Sequence, residues 1–189
     1  MPKLRLTVLV SCLVCPLMVA AVPAGAQQVI ESKTSTRPRD VIFVPTREPV
    51  AEAMMTLANV TKNDVVYDLG CGDGALVIAA AKRGARVVGV DIDPDRIAEA
   101  TAKVRAARVQ DRVTLIRGDI FDPAIKIGDA TVVTLYLLQS LNEKLAPRLK
   151  SELKRGSRVV SHTFAMGAGW PPEKTEQVDG AMVHLWTIP

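Results

Sequence analysis

The stretch at residues 65–81, VVYDLGCGDGALVIAAA, decides the fold of this chain. It predicts a short buried strand with Asp68 near its carboxyl end, then a glycine-rich turn and a helix. Gly70, Gly72 and Gly74 alternate where the backbone must turn sharply and approach a ligand, which a Cβ atom would obstruct. Free N–H groups and the positive end of a dipole lie at the start of the following helix. The turn therefore predicts a binding site for a nucleotide-like ligand.

The spacing of the turn separates two classes of cofactor. Gly70, Gly72 and Ala75 satisfy the looser dinucleotide fingerprint, G-x-G-x-x-A. Three details favour S-adenosylmethionine: Asp68 stands two residues before the first glycine, Gly74 adds a third alternating glycine, and no P-loop Lys-Ser or Lys-Thr pair follows. A carboxylate beside the turn suits a cationic ligand and repels a pyrophosphate. A plain strand–turn–helix connection without a ligand is the alternative.

Acids also follow the next two predicted strands. The strand at residues 86–90 ends in Asp91, roughly 20 residues after the turn, where doubly wound folds place the carboxylate that binds ribose hydroxyls. Asp119 follows the strand at residues 113–117 and can accept a hydrogen bond from an adenine amino group, while Ile120 offers contact to the ring. A helix-capping or loop acid at Asp91 and an ordinary turn acid at Asp119 are the alternatives. Cys71 and Ile92 complete the predicted cofactor site.

The order of the predicted elements indicates the fold class. After the strand at residues 113–117 come an apolar strand at residues 130–138, a helix at 142–153 and a strand at 158–164. Residues 175–178 and 182–187 flank Asp179-Gly180 as a β-hairpin. Before the turn, Thr46 can cap a helix at residues 48–59. The pattern predicts an α/β, Rossmann-like, doubly wound and mostly parallel sheet with a C-terminal antiparallel hairpin.

Composition limits the domain count and the class of partner. A chain of 189 residues suits one domain, and 48% hydrophobic residues suffice for a core. The net charge of +4 is mild and comes without an aromatic-interleaved basic patch, so no nucleic acid is expected as a partner.

The amino terminus has the layout of a targeting segment. Residues 1–26 place Lys3 and Arg5 before a charge-free apolar run and small residues around Ala26, which predicts a secretory signal peptide. An uncleaved membrane anchor is the alternative. Residues 27–40 read as a flexible lead-in, residues 41–189 as the folded domain, and Cys71 is the one cysteine after the leader. The protein is therefore expected to be secreted or periplasmic, or else anchored with the domain in the cytosol.

The glycine turn resembles motif I of the class I, or seven-strand, S-adenosylmethionine-dependent methyltransferases. Within that class the chain resembles the lysine methyltransferases of the ATP synthase c-subunit and the adenine nucleotide carrier, with their prokaryotic relatives. The resembling segments are residues 43–46 (FVPT), 68–74 (DLGCGDG), 89–94 (GVDIDP), 132–138 (VVTLYLL), 158–164 and 170–171 (WP). The resemblance implies S-adenosylmethionine as cofactor, with residues 43–46 closing over it and Thr46 near its methionine end. A secretory-type leader replaces the targeting segment of those enzymes.

Methyl transfer to a protein lysine is the function that this resemblance implies, with a membrane protein among the possible substrates. Membrane contact of the enzyme itself is expected only if the leader stays uncleaved. A lysine nucleophile must lose its proton, and a water-poor apolar pocket lowers the pKa of an amine. Tyr136, at the end of the fourth strand, is the candidate catalytic residue that shapes this pocket, and His162 is either a base or a structural histidine. A small-molecule methyltransferase and an exported non-catalytic binding domain are the alternatives.

Overall fold

The computed structural model describes residues 28–32 and 43–189. The predicted leader at residues 1–26 lies outside the described residues, as do residues 33–42. The strands are β1 (Gln28–Glu31), β2 (Val65–Leu69), β3 (Arg86–Asp91), β4 (Val113–Arg117), β5 (Val132–Leu135), β6 (Arg158–His162), β7 (Lys174–Val178) and β8 (Ala181–Thr187). The helices are α1 (Glu48–Leu57), α2 (Ala75–Lys82), α3 (Pro94–Ala106) and α4 (Gln139–Glu152), with a 3-10 turn at Gln110–Arg112. In the described part of the chain, no helix has the length and apolarity that a membrane crossing requires.

The sheet has the order β1-β4-β3-β2-β5-β6-β8-β7. All pairings from β1 to β6 are parallel, whereas β8 runs antiparallel to both β6 and β7. The chain passes outward from β2 through β3 to β4 and then returns to place β5 on the other side of β2. This reversal creates a switch point, and open α/β sheets bind ligands in the crevice at the carboxyl ends of such strands. The predicted fold class is confirmed.

Both faces of the sheet are covered by helices. Helices α1, α2 and α3 pack on one face through residues such as Met54, Val77 and Val104, while α4 covers the other with Leu145 and Leu149. Strand β2, VVYDL, is buried along its whole length, as expected for a central parallel strand. Burial on both faces holds the end of β2 rigidly at the switch point.

The structure departs from the sequence predictions at the amino-terminal side of the domain. Gln28–Glu31 lie in the segment predicted as a flexible lead-in, yet they pair in parallel with β4 as an edge strand. All four residues are exposed, so the strand is held by its backbone ladder and its side chains carry no burial pattern that sequence could reveal. Thr46 is not the helix cap: α1 begins after Arg47, which makes no side-chain capping hydrogen bond.

The fourth strand is shorter than predicted. Strand β5 ends at Leu135, and the following Tyr136, Leu137 and Leu138 leave the sheet before α4 begins. Their apolar character continues the pattern of the strand, which is why the sequence places them within it. In the structure these residues face the crevice instead.

Candidate active site

A cavity of about 530 Å³ opens at the carboxyl ends of the central strands. Ten predicted site residues line it: Thr46, Asp68, Gly70, Cys71, Gly72, Asp91, Ile92, Asp119, Ile120 and Tyr136. Cavities that bind cofactors and other small molecules commonly measure about 300–1,000 Å³. The fold therefore brings residues from positions 46 to 136 of the chain to one site of suitable size.

The glycine turn approaches the cavity in a backbone conformation that L-residues disfavour. Gly70 and Gly72 have φ values of +88° and +50°, and the N–H groups of Gly70 and Cys71 both donate to the carbonyl of Val90, at 2.8 and 2.9 Å. A Cβ at Gly72 would lie 2.4 Å from Cε2 of Phe43. Glycine is required here both for the torsion angles and for the close approach.

Gly74 has a different position from the other two glycines. It is the residue before α2, with φ +84°, and a Cβ there would meet Ala100 of α3 at 3.2 Å. It does not line the cavity, although it was predicted as a cofactor-binding residue. Its contribution is to let the chain turn and to let α2 pack closely on α3.

Asp91 links the end of β3 to the glycine turn. Its Oδ2 accepts a hydrogen bond from the Gly72 N–H at 2.8 Å, and its Oδ1 accepts one from the Asp93 N–H at 2.9 Å. Burial raises the pKa of Asp91 despite these amide donors. Each carboxylate oxygen has a second lone pair, so Asp91 can still accept two hydroxyl hydrogen bonds from a ribose. Asp93, and not Asp91, caps α3 by accepting a hydrogen bond from the Asp95 N–H.

Asp68 is a buried carboxyl group on the cavity wall. It is 1% exposed, and its Oδ1 accepts a hydrogen bond from the Thr134 hydroxyl at 2.7 Å. Burial raises the pKa of Asp68 to about 7, and the nearby carboxylates of Asp91 and Asp73 act in the same direction. A cation in the cavity stabilises the charged form, because opposite charge favours ionisation. The neighbouring Cys71 is buried and its thiol pKa is raised by burial, so it is not an activated nucleophile.

The Asp119 side chain makes a turn contact at the cavity wall. Its Oδ1 accepts a hydrogen bond from the Phe121 N–H at 2.9 Å, as expected of a turn acid, while the residue also lines the cavity. Ile120 is buried beside it, and Arg148 of α4 donates to the Ile120 carbonyl at 2.5 Å. The loop after β4 is therefore held firmly against the site.

Tyr136 lines the cavity just after β5, and His162, the last residue of β6, packs against it. Their rings stack with centroids 3.7 Å apart and an interplanar angle of 28°. Nδ1 of His162 lies 3.3 Å from the hydroxyl oxygen of Thr46, within hydrogen-bond distance. Burial lowers the pKa of His162 to about 4, and the Arg47 guanidinium acts in the same direction. The imidazole is therefore neutral near pH 7.

Several residues at the site were not identified as site residues from the sequence. Phe43 covers the glycine turn, and the Arg96 guanidinium lies 4.7 Å above its ring. Lys103 binds Asp73 at 2.6 Å across 30 residues of sequence. Further lining residues are Val44, Leu76, Leu137, Leu138, Leu141 and Phe164. Phe43 and Val44 belong to the segment at 43–46, which the family resemblance predicted to close over the cofactor. The other side chains resemble ordinary core or surface residues and carried no signal in the sequence.

The fold and site define a class I S-adenosylmethionine-dependent methyltransferase. The sheet has one strand more than the seven of that class because β1 extends its edge. The residues fit the cofactor: Asp91 offers acceptors for a diol, Asp68 lies where a positive charge is favoured, and the glycine turn leaves room for a ligand against the backbone.

Comparisons with known proteins identify the family. The ANTKMT methyltransferase domain family matches residues 68–174, more than half of the chain, and the chain belongs to this family. A protein-lysine N-methyltransferase from Saccharolobus islandicus is 46% identical over 147 residues, which cover 76% of this chain and 89% of that protein.

Solved structures agree with this assignment. An RNA methyltransferase from Salinibacter ruber, solved in complex with S-adenosyl-L-homocysteine, is 50% identical with a TM-score of 0.73 and covers 77% of this chain and 94% of its own. A precorrin 8W decarboxylase from Methanobacterium thermoautotrophicum has a TM-score of 0.64 at 22% identity, covering 77% and 92%, and shares the fold alone. The protein is an S-adenosylmethionine-dependent methyltransferase.

Proposed function

We propose that this methyltransferase acts on lysine amines of protein substrates. The name of the Saccharolobus relative supports this acceptor, and the observation that carries the proposal is the wall formed by Tyr136, Leu138 and Phe164. An apolar and aromatic surface removes water from an amine and lowers its pKa. Deprotonation of a lysine ammonium is the step that methyl transfer to lysine requires.

The bound cofactor supplies a methyl group that its sulfonium has already activated. The work of the chain is therefore to position the reactants and to exclude water. In this proposal Asp91 binds the ribose hydroxyls, Asp119 accepts from the adenine amino group and Ile120 contacts the ring. Thr46 lies near the methionine end, where its hydrogen bond to His162 connects the cofactor side to the acceptor side.

His162 serves this chemistry as a neutral structural group and not as the base. Its pKa of about 4 makes it far too weak to take a proton from a lysine ammonium, whose ordinary pKa is about 10.4. Its stacked ring instead holds Tyr136 in place at the acceptor side. The amine gives its proton to solvent as it enters the apolar part of the cavity, where its lowered pKa favours the neutral form.

The test compares acceptors of different classes. The full chain is incubated with S-adenosylmethionine and an unstructured lysine-containing peptide, the same peptide with arginine at each lysine, or total cellular RNA, and products are read by mass spectrometry. We expect methyl groups on lysine only, and none with an Asp91→Ala variant. Methylation of RNA alone contradicts the lysine proposal. Cofactor binding without turnover on any acceptor favours a non-catalytic binding domain.

We further propose that the segment at residues 1–26 acts as an uncleaved anchor that leaves the domain in the cytosol. The charged sulfonium cofactor is made there and does not cross a bilayer freely. Mass spectrometry of the amino terminus in fractions of the native cell tests this. An intact terminus in the membrane fraction supports it, and a terminus beginning after Ala26 in the exported fraction overturns it.

A further inference from the structure

The backbone turn after β6 is strained. Thr163 has φ +64°, a conformation that is a genuine outlier for a β-branched residue. The Phe164 N–H donates to the His162 carbonyl at 2.8 Å, which closes a three-residue γ-turn of the rare, strained sign. Strain of this kind persists only where the surroundings over-determine the backbone, and it concentrates at functional sites.

A buried polar cluster holds this turn. The Phe164 carbonyl accepts hydrogen bonds from Asn142 Nδ2 at 2.9 Å and from the Ser161 hydroxyl at 2.7 Å. Asn142 and Ser161 are both 0% exposed, and Asn142 Nδ2 also lies 3.2 Å from the Ser161 oxygen. From the opposite side, the Thr163 N–H donates to the Met182 carbonyl of β8 at 2.7 Å. The turn is thus fixed from α4, from β6 and from the hairpin.

The turn places one aromatic group on each side of Thr163. His162 precedes it and stacks on Tyr136, while Phe164 follows it and lines the cavity. We propose that Asn142 is a positioning residue for the methyl acceptor, acting through the strained turn at Thr163 to fix the rings that shape the acceptor side of the cavity. This inference rests on the proposed function only in naming the acceptor as a lysine amine.

The strained turn at Thr163 and the glycine turn lie at different places along the sheet. The glycine turn follows β2, and Asp91 is the last residue of β3. The strained turn follows β6, which is separated from β2 by β5 in the sheet. Asn142 itself does not line the cavity, although its neighbour Leu141 does. Loss of the Asn142 amide should therefore disturb the acceptor much more than the cofactor.

The experiment uses Asn142→Leu in the full chain, with Gln139→Leu as control, which makes a similar change at an exposed position of the same helix. For Asn142→Leu we expect kcat/KM for the acceptor to fall about 10- to 100-fold, the effect of a small misplacement of reacting groups. Calorimetry should give a Kd for S-adenosylmethionine that changes far less than kcat/KM for the acceptor. The control should match the wild type in both measurements.

A second substitution distinguishes positioning from general damage. Glycine adopts positive φ without strain, so Thr163→Gly in the Asn142→Leu background should restore most of the lost activity. The imidazole NMR signals give a readout that needs no acceptor, because the chain has just His162 and His184. Stacking on Tyr136 shifts the His162 signal, and this shift should diminish in Asn142→Leu and return in the double variant. The Gln139→Leu control should leave the His162 signal unmoved.

The outcomes divide clearly. Unchanged activity in Asn142→Leu, an equal loss of cofactor affinity, or an unmoved His162 signal with activity lost each overturns the positioning role. If Asn142→Leu does not fold, Ser161→Ala removes the other donor to the Phe164 carbonyl and is judged by the same criteria. If the wild type proves to methylate another class of acceptor, the lysine proposal fails while the NMR result still decides the role of Asn142.

Discussion

Substitution of Gly70 by Ala introduces two separate energetic effects at the turn. Gly70 has φ +88°, so a side chain there must adopt the left-handed region. Its new Cβ would also lie 2.7 Å from Cδ2 of Leu137, which is 5% exposed and lines the cavity. A contact this short requires Leu137 to move within a packed environment.

The chain contains a control for the first effect alone. Gly156 has φ +82°, close to that of Gly70, and a Cβ there has no atom within 4 Å. Gly156→Ala should therefore lower the free energy of unfolding only by the left-handed strain, about 1–2 kcal/mol. Gly70→Ala adds overpacking against Leu137, typically about 1–3 kcal/mol, for a total of roughly 2–5 kcal/mol. The displaced Leu137 should also weaken cofactor binding about tenfold or more, equivalent to about 1.4 kcal/mol.

Urea unfolding and calorimetric titration with S-adenosylmethionine measure the two effects on each variant. The expected pattern is a larger loss of stability for Gly70→Ala, and weaker cofactor binding for Gly70→Ala alone. Equal stability losses in both variants, together with wild-type cofactor affinity in both, would refute the claim that close packing at Gly70 shapes the site.

Three further predictions concern the walls of the cavity. Asp91→Asn should weaken S-adenosylmethionine binding about 10- to 100-fold by calorimetry, since it removes the charged acceptor for two hydroxyl donors, and an unchanged Kd removes the ribose assignment. The pKa of Asp68, raised by burial from 3.8 to about 7, means that the folded protein holds an extra proton between these pH values, so this group lowers stability as the pH rises through that window. Asp68→Asn keeps an acceptor for Thr134 and should be more stable than the wild type at pH 8 by about 2–4 kcal/mol, and this difference should vanish near pH 4. A difference in the free energy of urea unfolding that stays constant with pH contradicts the raised pKa of Asp68. Tyr136→Phe keeps the ring stacked on His162 and should retain most activity. Tyr136→Leu removes the ring and should lower kcat/KM for the acceptor at unchanged cofactor affinity. Equal losses of kcat/KM in both variants, measured by steady-state kinetics, would assign the role to the hydroxyl and not to the ring.

The regular elements of the fold were predictable because their signals are local. Gly84 after α2, Asp93 and Pro94 at the start of α3, and Asp179-Gly180 between β7 and β8 each indicate a boundary through the conformation of one or two residues. Strand β1 lacked such a signal, because an exposed edge strand exists through backbone pairing to a partner far along the chain. Thr46 was mistaken for a cap because its hydroxyl suits that role, while its actual partner, His162, lies 116 residues away.

The sequence by itself determined the class of fold and the cofactor, and it named ten of the residues that line the cavity. Asp68, the glycines and Asp91 lie at the carboxyl ends of two adjacent strands, β2 and β3. Their order along the chain therefore nearly specifies their arrangement in space. Only the tertiary structure decided how the wall around Tyr136 is built, the wall that we propose as the acceptor side. There Tyr136, His162 and Asn142 meet through the pairing of β5 with β6 and the packing of α4, and the strain at Thr163 depends on contacts from three separate elements. Contacts between residues distant in sequence leave no periodic pattern in the chain. Each side chain suits a neighbour in space, and the order of residues along the chain does not reveal that neighbour.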